Sequence, residues 1–139
     1  SFIRLLGVCY LRFEIAGSIR RDVPVVGDVD LLLLDSPDVR EALHRVCGTN
    51  LTNGDPSRSC LVDGVQIDIL LADEPWWGAA LMHWTGSKEE NIRLRFLAKR
   101  LGLKLNESGL WEGEDRIAGV SEREIYKLVG ATYREPKQR

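Results

Sequence analysis

At 139 residues, 44% hydrophobic and 29% charged, the chain is long enough to bury a core without staples, as one domain or two small lobes. It carries no signal peptide, membrane-length apolar run, low-complexity tract or internal repeat, which excludes a membrane-spanning or repeat architecture. The net charge of −2 hides an asymmetry: residues 1–86 hold 7 Lys+Arg against 12 Asp+Glu, and residues 87–139 hold 12 against 9. An acidic half suits metal ions and a basic half suits a phosphate backbone, although charge alone favours the plainer explanation of a solvated surface. Cys9, Cys47 and Cys60 form an odd set without ligand-like spacing and are expected to be reduced thiols of an intracellular protein. Ser1 opens the chain where a methionine would stand, so a processed product and a piece of a longer protein are both compatible with it.

In chain order, residues 2–10 read as the end of a helix, and Leu11 to Ala16 (LRFEIA) as a strand leading into a Gly17-Ser18 turn. Arg20 and Arg21 follow at once. Backbone amides and a hydroxyl unobstructed by bulk, beside two guanidiniums, make a phosphate-cradling composition. The next strand is predicted from Asp28 to Leu34. Because side chains alternate along a strand, Asp28 and Asp30 project from the same face. Two carboxylates so placed repel unless a cation lies between them, and hard oxygen donors next to a phosphate-bearing substrate suit magnesium. An exposed edge-strand pair is the structural alternative.

Asp35-Ser36-Pro37-Asp38 stops that strand and starts a helix, with Ser36 as N-cap, Pro37 at the first helical position and Asp38 in the first turn. The helix, VREALHRVC, is expected to end at Gly48. His44 within it reads as a residue of a surface helix. Residues 49–57 are turn-rich. A hairpin follows: Ser59 to Val62 and Val65 to Leu71 flank Asp63-Gly64, a pair that favours the type I′ turn. In its second strand Val65, Ile67, Ile69 and Leu71 share one face, and Gln66, Asp68 and Leu70 the other. An unpaired carboxylate buried in an apolar strand is costly, so Asp68 is expected to be a third carboxylate beside the Asp28–Asp30 strand.

Residues 75–84 (PWWGAALMHW) read as a short helix, with a second lobe beginning at Thr85. Ser87 and Glu90 form a capping box opening a helix from Lys88 to Leu101 that stops at Gly102. Asn91, Arg95 and Lys99 share one face of it, while Ile92, Phe96 and Leu97 are expected to pack inward. LKLNESGLW and DRIAG, around Gly113, suggest a small hairpin sheet packed on that helix. Ser121 with Glu124 is a second capping box, opening a helix that ends at Gly130.

GSIRR followed by GDVD resembles the nucleotidyltransferase superfamily, and most of all the X family of DNA polymerases, the polymerase beta type. HWTGSKEENIRLR, residues 83–95, is similar to the stretch joining palm and thumb in that family. TYREPKQR resembles the chain end of polymerase beta, LNESGLW resembles the family's thumb hairpin, and the IDI of VQIDILL matches its third aspartate. The resemblance covers nearly the whole chain, as the palm and thumb portion only. The amino-terminal lyase domain, the helix-hairpin-helix clamp and an upstream triphosphate-contacting arginine of typical members have no counterpart in it.

The resemblance implies an α+β fold: a nucleotidyltransferase palm with a mixed β-sheet and flanking helices over residues 1–84, then a small helical and hairpin thumb over residues 85–139. It implies a polymerase adding dNMP from dNTP to a primer 3′ hydroxyl in gap-filling repair, acting as an intracellular monomer on primer-template or gapped DNA. Asp28, Asp30 and Asp68 would be catalytic and would ligate two Mg2+ ions, with Mn2+ able to substitute. Gly17, Ser18 and Arg21 would hold the nucleotide's phosphates, and Gly27 would also belong to the nucleotide-binding set. His83 and Trp84 would pack on its sugar, with Gly86 beside them, and Asn91 would read the minor-groove edge of its base. Arg95 would reach the template strand, and Lys99 would contact DNA.

Three departures from the family pattern stand out. Gln66 and Leu70 occupy places where arginines are common, Ser108 stands where an aromatic is common, and HWTGS is closer to the GWTGS of terminal-transferase and mu-type members. The last implies weakened discrimination against ribonucleotides. Two other functions stay open. One is a template-independent or non-DNA nucleotidyltransferase, against which Asn91 and Arg95 argue. The other is a DNA-end-binding module that needs a further domain or partner for activity, against which the three carboxylates argue.

Overall fold

The computed structural model describes residues 2–8, 11–23, 29–47 and 57–139. The chain begins with α1 (Phe2–Leu6), β1 (Phe13–Ala16), α2 (Gly17–Arg20), β2 (Val29–Leu34) and α3 (Pro37–Cys47). The hairpin β3 (Ser57–Val62) and β4 (Val65–Ala72) leads through a 3₁₀ turn at Glu74–Trp76 into α4 (Trp77–Thr85). Then come α5 (Lys88–Arg100), the strands β5 (Lys104–Asn106), β6 (Gly109–Glu112) and β7 (Asp115–Ala118), and α6 (Glu122–Leu128). The architecture is mixed α+β.

Four strands form one sheet in the order β1-β2-β4-β3, with β2 and β4 parallel and both outer pairs antiparallel. The leucine run of β2 is buried on both faces, which is why it reads as a continuous apolar stretch rather than an alternation. Leu31 and Leu33, with Ile67, Ile69 and Leu71 of β4, pack against Val39, Ala42 and Leu43 of α3 and Leu6 of α1. Leu32 and Leu70 point the other way, onto Trp77, Ala80 and Leu81 of α4. The hairpin turn is as expected: Asp63 and Gly64 have φ of 51° and 81°, the positive pair of a type I′ turn.

The second sheet, β5-β6-β7, is antiparallel. Its Leu105 and Leu110 pack with Leu94 and Ala98 of α5, Ile125 and Tyr126 of α6, and Ala79 and Met82 of α4. Helix α4 therefore lies between the two sheets and is apolar nearly all round, as a helix buried on opposite sides must be. Gly78 allows its closest approach: a Cβ there would stand 2.6 Å from the Val120 carbonyl oxygen.

Several expectations need adjustment. The first helix ends at Leu6, the first strand starts at Phe13, and the Gly17-Ser18 turn is one turn of helix. Ile92 and Phe96 do not pack inward, being 50% and 58% exposed; the buried stripe of α5 is Glu90, Leu94 and Ala98, two residues along the chain and so on nearly the opposite face. Ser87 caps α5 by accepting the Glu90 amide at 3.3 Å. The Glu90 carboxylate instead accepts from Arg93 Nε at 2.6 Å, Tyr126 and Arg134. In the second expected box Ser121 makes no side-chain cap, and the buried acid is Glu122 rather than Glu124. Cys60 is a buried free thiol. Cys9, the helix stop at Gly48 and most of the loop over residues 49–57 lie outside the described residues.

Candidate active site

Parallel pairing of β2 with β4 sets Asp30 directly opposite Asp68. Each is two residues before a leucine that packs on α4, so both carboxylates emerge on the α4 face of the sheet, at the end where α2 and the last turn of α4 converge. Asp68 differs from expectation: it is half-buried, not sealed in apolar surroundings. The hairpin register places Ser59 across from it, and Asp68 Oδ1 accepts from Ser59 Oγ at 2.7 Å and from Gln66 Nε2 at 3.0 Å. Gly17 closes over the other carboxylate. A Cβ at Gly17, whose φ is +63°, would stand 2.0 Å from Asp30 Oδ2. Asp28 and Gly27 lie outside the described residues.

A cleft of about 600 Å³ opens between these carboxylates and the start of α5. Gly17, Ser18 and Arg21 line it from the α2 side, and Asp30 and Asp68 from the sheet. His83, Trp84, Gly86, Asn91 and Arg95 form the opposite wall. Ten expected site residues from four separate stretches of chain thus face one space. Lys99 does not line the cleft; it is exposed one turn of α5 beyond Arg95. A second cleft of about 530 Å³ lies on the other side of the carboxylates, against Ser59, Gln66 and Trp84.

The charges of the cleft are separated. Carboxylates occupy the sheet side, while Arg21, Lys88 and Arg95 stand around the mouth, an arrangement that draws in an anion while leaving oxygen donors for a cation. Arg21 Nε is buried with no hydrogen-bond partner among the described residues. An orphaned buried guanidinium donor is costly until an anionic acceptor reaches it. Arg20, its neighbour, turns away: its guanidinium donates to Thr85 Oγ1 at 2.7 Å and to both oxygens of Glu122, at 2.9 and 2.6 Å. The His83 ring meets Trp84 edge-on at 4.9 Å, and burial pushes its imidazole pKa down, so it stands neutral at pH 7. Asn91 Nδ2 donates to the His83 carbonyl at 2.8 Å, which fixes its amide plane against the end of α4. The Gly86–Ser87 peptide between those helices is cis.

Sequence reasoning missed two residues at the cleft, Lys88 and Ser59. Lys88 carries a signal, a cation directly after T-G-S in a stretch already assigned to the site. Ser59 carries none, because it reaches the cleft through Asp68, which only the hairpin register sets across from it.

The family model described as DNA polymerase beta thumb matches residues 80–139. The repair DNA polymerase X of African swine fever virus (isolate Pig/Kenya/KEN-50/1950) is 31% identical over 147 residues, covering 88% of this chain and 78% of the viral protein. The DNA polymerase/3′-5′ exonuclease PolX of Bacillus subtilis is 32% identical over 138 residues, covering 93% of this chain and 24% of that protein. Human DNA-directed DNA/RNA polymerase mu is 37% identical over 79 residues, 54% of this chain and 16% of that protein. The chain thus spans about a quarter of the bacterial relative and about four fifths of the viral one.

Proposed function

The chain belongs to the X family of DNA polymerases, and from that premise we propose that it is the palm and thumb portion of a repair polymerase, transferring dNMP from a dNTP to a primer 3′ hydroxyl. The palm, a nucleotidyltransferase domain, spans residues 1–84 and the thumb residues 85–139. The observation that carries this reading is the register that sets Asp30 against Asp68 at the floor of a cleft whose rim bears Arg21 with an unpaired buried Nε. The enzyme works inside the cell as a monomer, on gapped or primer-template DNA.

The residues divide the work by chemistry. Ser18 and Arg21 hold the triphosphate, the hydroxyl and guanidinium donating to its terminal oxygens. Lys88 adds a positive charge on the opposite rim. His83 and Trp84 present a neutral, largely apolar edge to the sugar. Asn91 keeps a second N–H and its carbonyl for the base edge, and Arg95 reaches the template, where donors meet minor-groove acceptors common to every base pair. Such contacts test pair shape rather than sequence.

Asp30 and Asp68 form an oxygen-only donor set that fits a hard divalent cation, and the family resemblance implies Asp28 as a further ligand. Magnesium ions held there would neutralise charge on the phosphates and lower the barrier to deprotonating the primer hydroxyl. Asp68, held by Ser59 and Gln66 through Oδ1, keeps its orientation by two neutral donors where other members use cationic ones.

Template dependence tests the reading against template-independent transfer. On a primer-template with each templating base in turn, the complementary dNTP alone is expected to be added; equal addition of all four would assign the chain to the second class. One relative supports a narrower point: the human mu enzyme is a DNA-directed DNA/RNA polymerase, and the HWTGS of this chain resembles the GWTGS of mu-type members. Comparable incorporation of UTP and dTTP is the expected outcome, and a strong deoxy preference would contradict it.

A further inference from the structure

The outward face of α5 carries side chains for which neither the cores nor the cleft accounts. Ile92 and Phe96, one helical turn apart, are 50% and 58% exposed. A rotation of about 100° per residue sets them beside Arg95 and Lys99, and the Arg100 guanidinium stands over the Phe96 ring, 5.9 Å from its centroid. Arg95, Lys99 and Arg100 are themselves exposed, while the acid Glu89 lies at the far end of the face, in the first turn. Apolar side chains exposed singly need no explanation. Two on adjacent turns, bordered by cations and continuous through Arg95 with the wall of the cleft, call for a ligand that is both apolar and anionic.

Unpaired nucleotides meet that description. A base of any identity offers a π face to an aromatic side chain, and the phosphates on either side of it pair with lysine and arginine. A duplex does not, because its base faces are already stacked on one another. We propose that this face of α5 is a stacking site for the unpaired template strand: Phe96 receives a base, Ile92 extends the apolar platform, and Lys99 and Arg100 hold the flanking phosphates. Resting on the reading of the cleft as a polymerase site, the assignment gives this face a place in the reaction. Arg95 lines the cleft and Phe96, the next residue, lies outside it, so a template that enters past Arg95 crosses Phe96 before its bases are copied.

The test measures binding of the wild type, Phe96→Ala and Phe96→Trp to three labelled DNAs at one salt concentration. One is a primer-template with unpaired template beyond the primer end, one is the same with abasic sites in place of those nucleotides, and one is a blunt duplex. Phe96→Ala is expected to weaken the first about tenfold and to leave the abasic and blunt DNAs unchanged, since the phosphates are the same and only the stacking is lost. Phe96→Trp is expected to keep wild-type affinity, and its added indole emission to be quenched by the first DNA alone. Wild-type affinity of Phe96→Ala for the first DNA, or an equal loss on all three, would overturn the inference. So would a free wild-type chain that sediments as a dimer and becomes monomeric in Phe96→Ala, which would make this face an interface between copies. If the wild type also carries out templated extension, any of those results overturns the stacking site alone. A wild type that binds none of the three DNAs would overturn the polymerase reading itself, and this inference with it.

Discussion

Gly17 and Asp30 show how little room the site has. With φ at +63° and a would-be Cβ 2.0 Å from Oδ2 of Asp30, Gly17→Ala must both strain its backbone, by about 1–3 kcal/mol, and push a carboxylate out of register. The variant is expected to fold and to lose about 10²-fold in single-turnover incorporation on gapped DNA; wild-type turnover would show that Asp30 does not act from this position. The glycine was legible in the sequence as the unobstructed start of a turn. Its contact with Asp30 was not, since it depends on two strands being neighbours. The adjacent arginines make the same point. Arg20 and Arg21 are chemically identical, and only the helical turn of α2, which rotates successive side chains by about 100°, sends one to the cleft and the other to Glu122.

Helix α5 was legible in its limits and its cap, but not in its buried face. Its apolar residues suggested Ile92 and Phe96 as the inward pair, whereas the second sheet takes Leu94 and Ala98, with Glu90 drawn inside by Arg93, Arg134 and Tyr126. A buried glutamate on the inner stripe masked the period. Leu94→Ala is expected to cost about 3 kcal/mol in urea unfolding, and Phe96→Ala less than about 1 kcal/mol; the reverse ranking would restore the sequence expectation. At the seam between α2 and α6, Glu122 makes stability depend on acid. A carboxyl held below its ordinary value of 4.5 in the folded chain contributes fully above that value and loses its contribution as pH falls through the lowered one. Unfolding free energy measured from neutral pH down to about pH 3 should therefore fall less in Glu122→Gln than in the wild type. Equal slopes would mean that Glu122 does not titrate with folding.

Across the whole molecule, the charge asymmetry of the sequence takes a spatial form: Asp30 and Asp68 stand on the sheet side of the cleft, and α5 presents Arg95 at its wall with Lys99 and Arg100 beyond it. The α+β class, the hairpin with its type I′ turn and the three-stranded second sheet could all be read from pattern and turn chemistry. Pattern alone could not give the parallel pairing of β2 with β4, because parallel partners are joined by long crossovers that leave no local signal. The unexplained Asp68 pointed to the two strands being neighbours, not to their direction. Nor could it give the role of α4 as the shared wall of two hydrophobic clusters, since a helix apolar all round has no face to read. The most direct test of the catalytic assignment is single-nucleotide extension of a primer in a one-nucleotide gap with magnesium and the complementary dNTP, comparing the wild-type chain with the Asp30→Asn, Asp68→Asn double variant. The account predicts templated addition by the wild type, and none by a folded double variant that still binds gapped DNA. Addition at the wild-type rate by the double variant would contradict it.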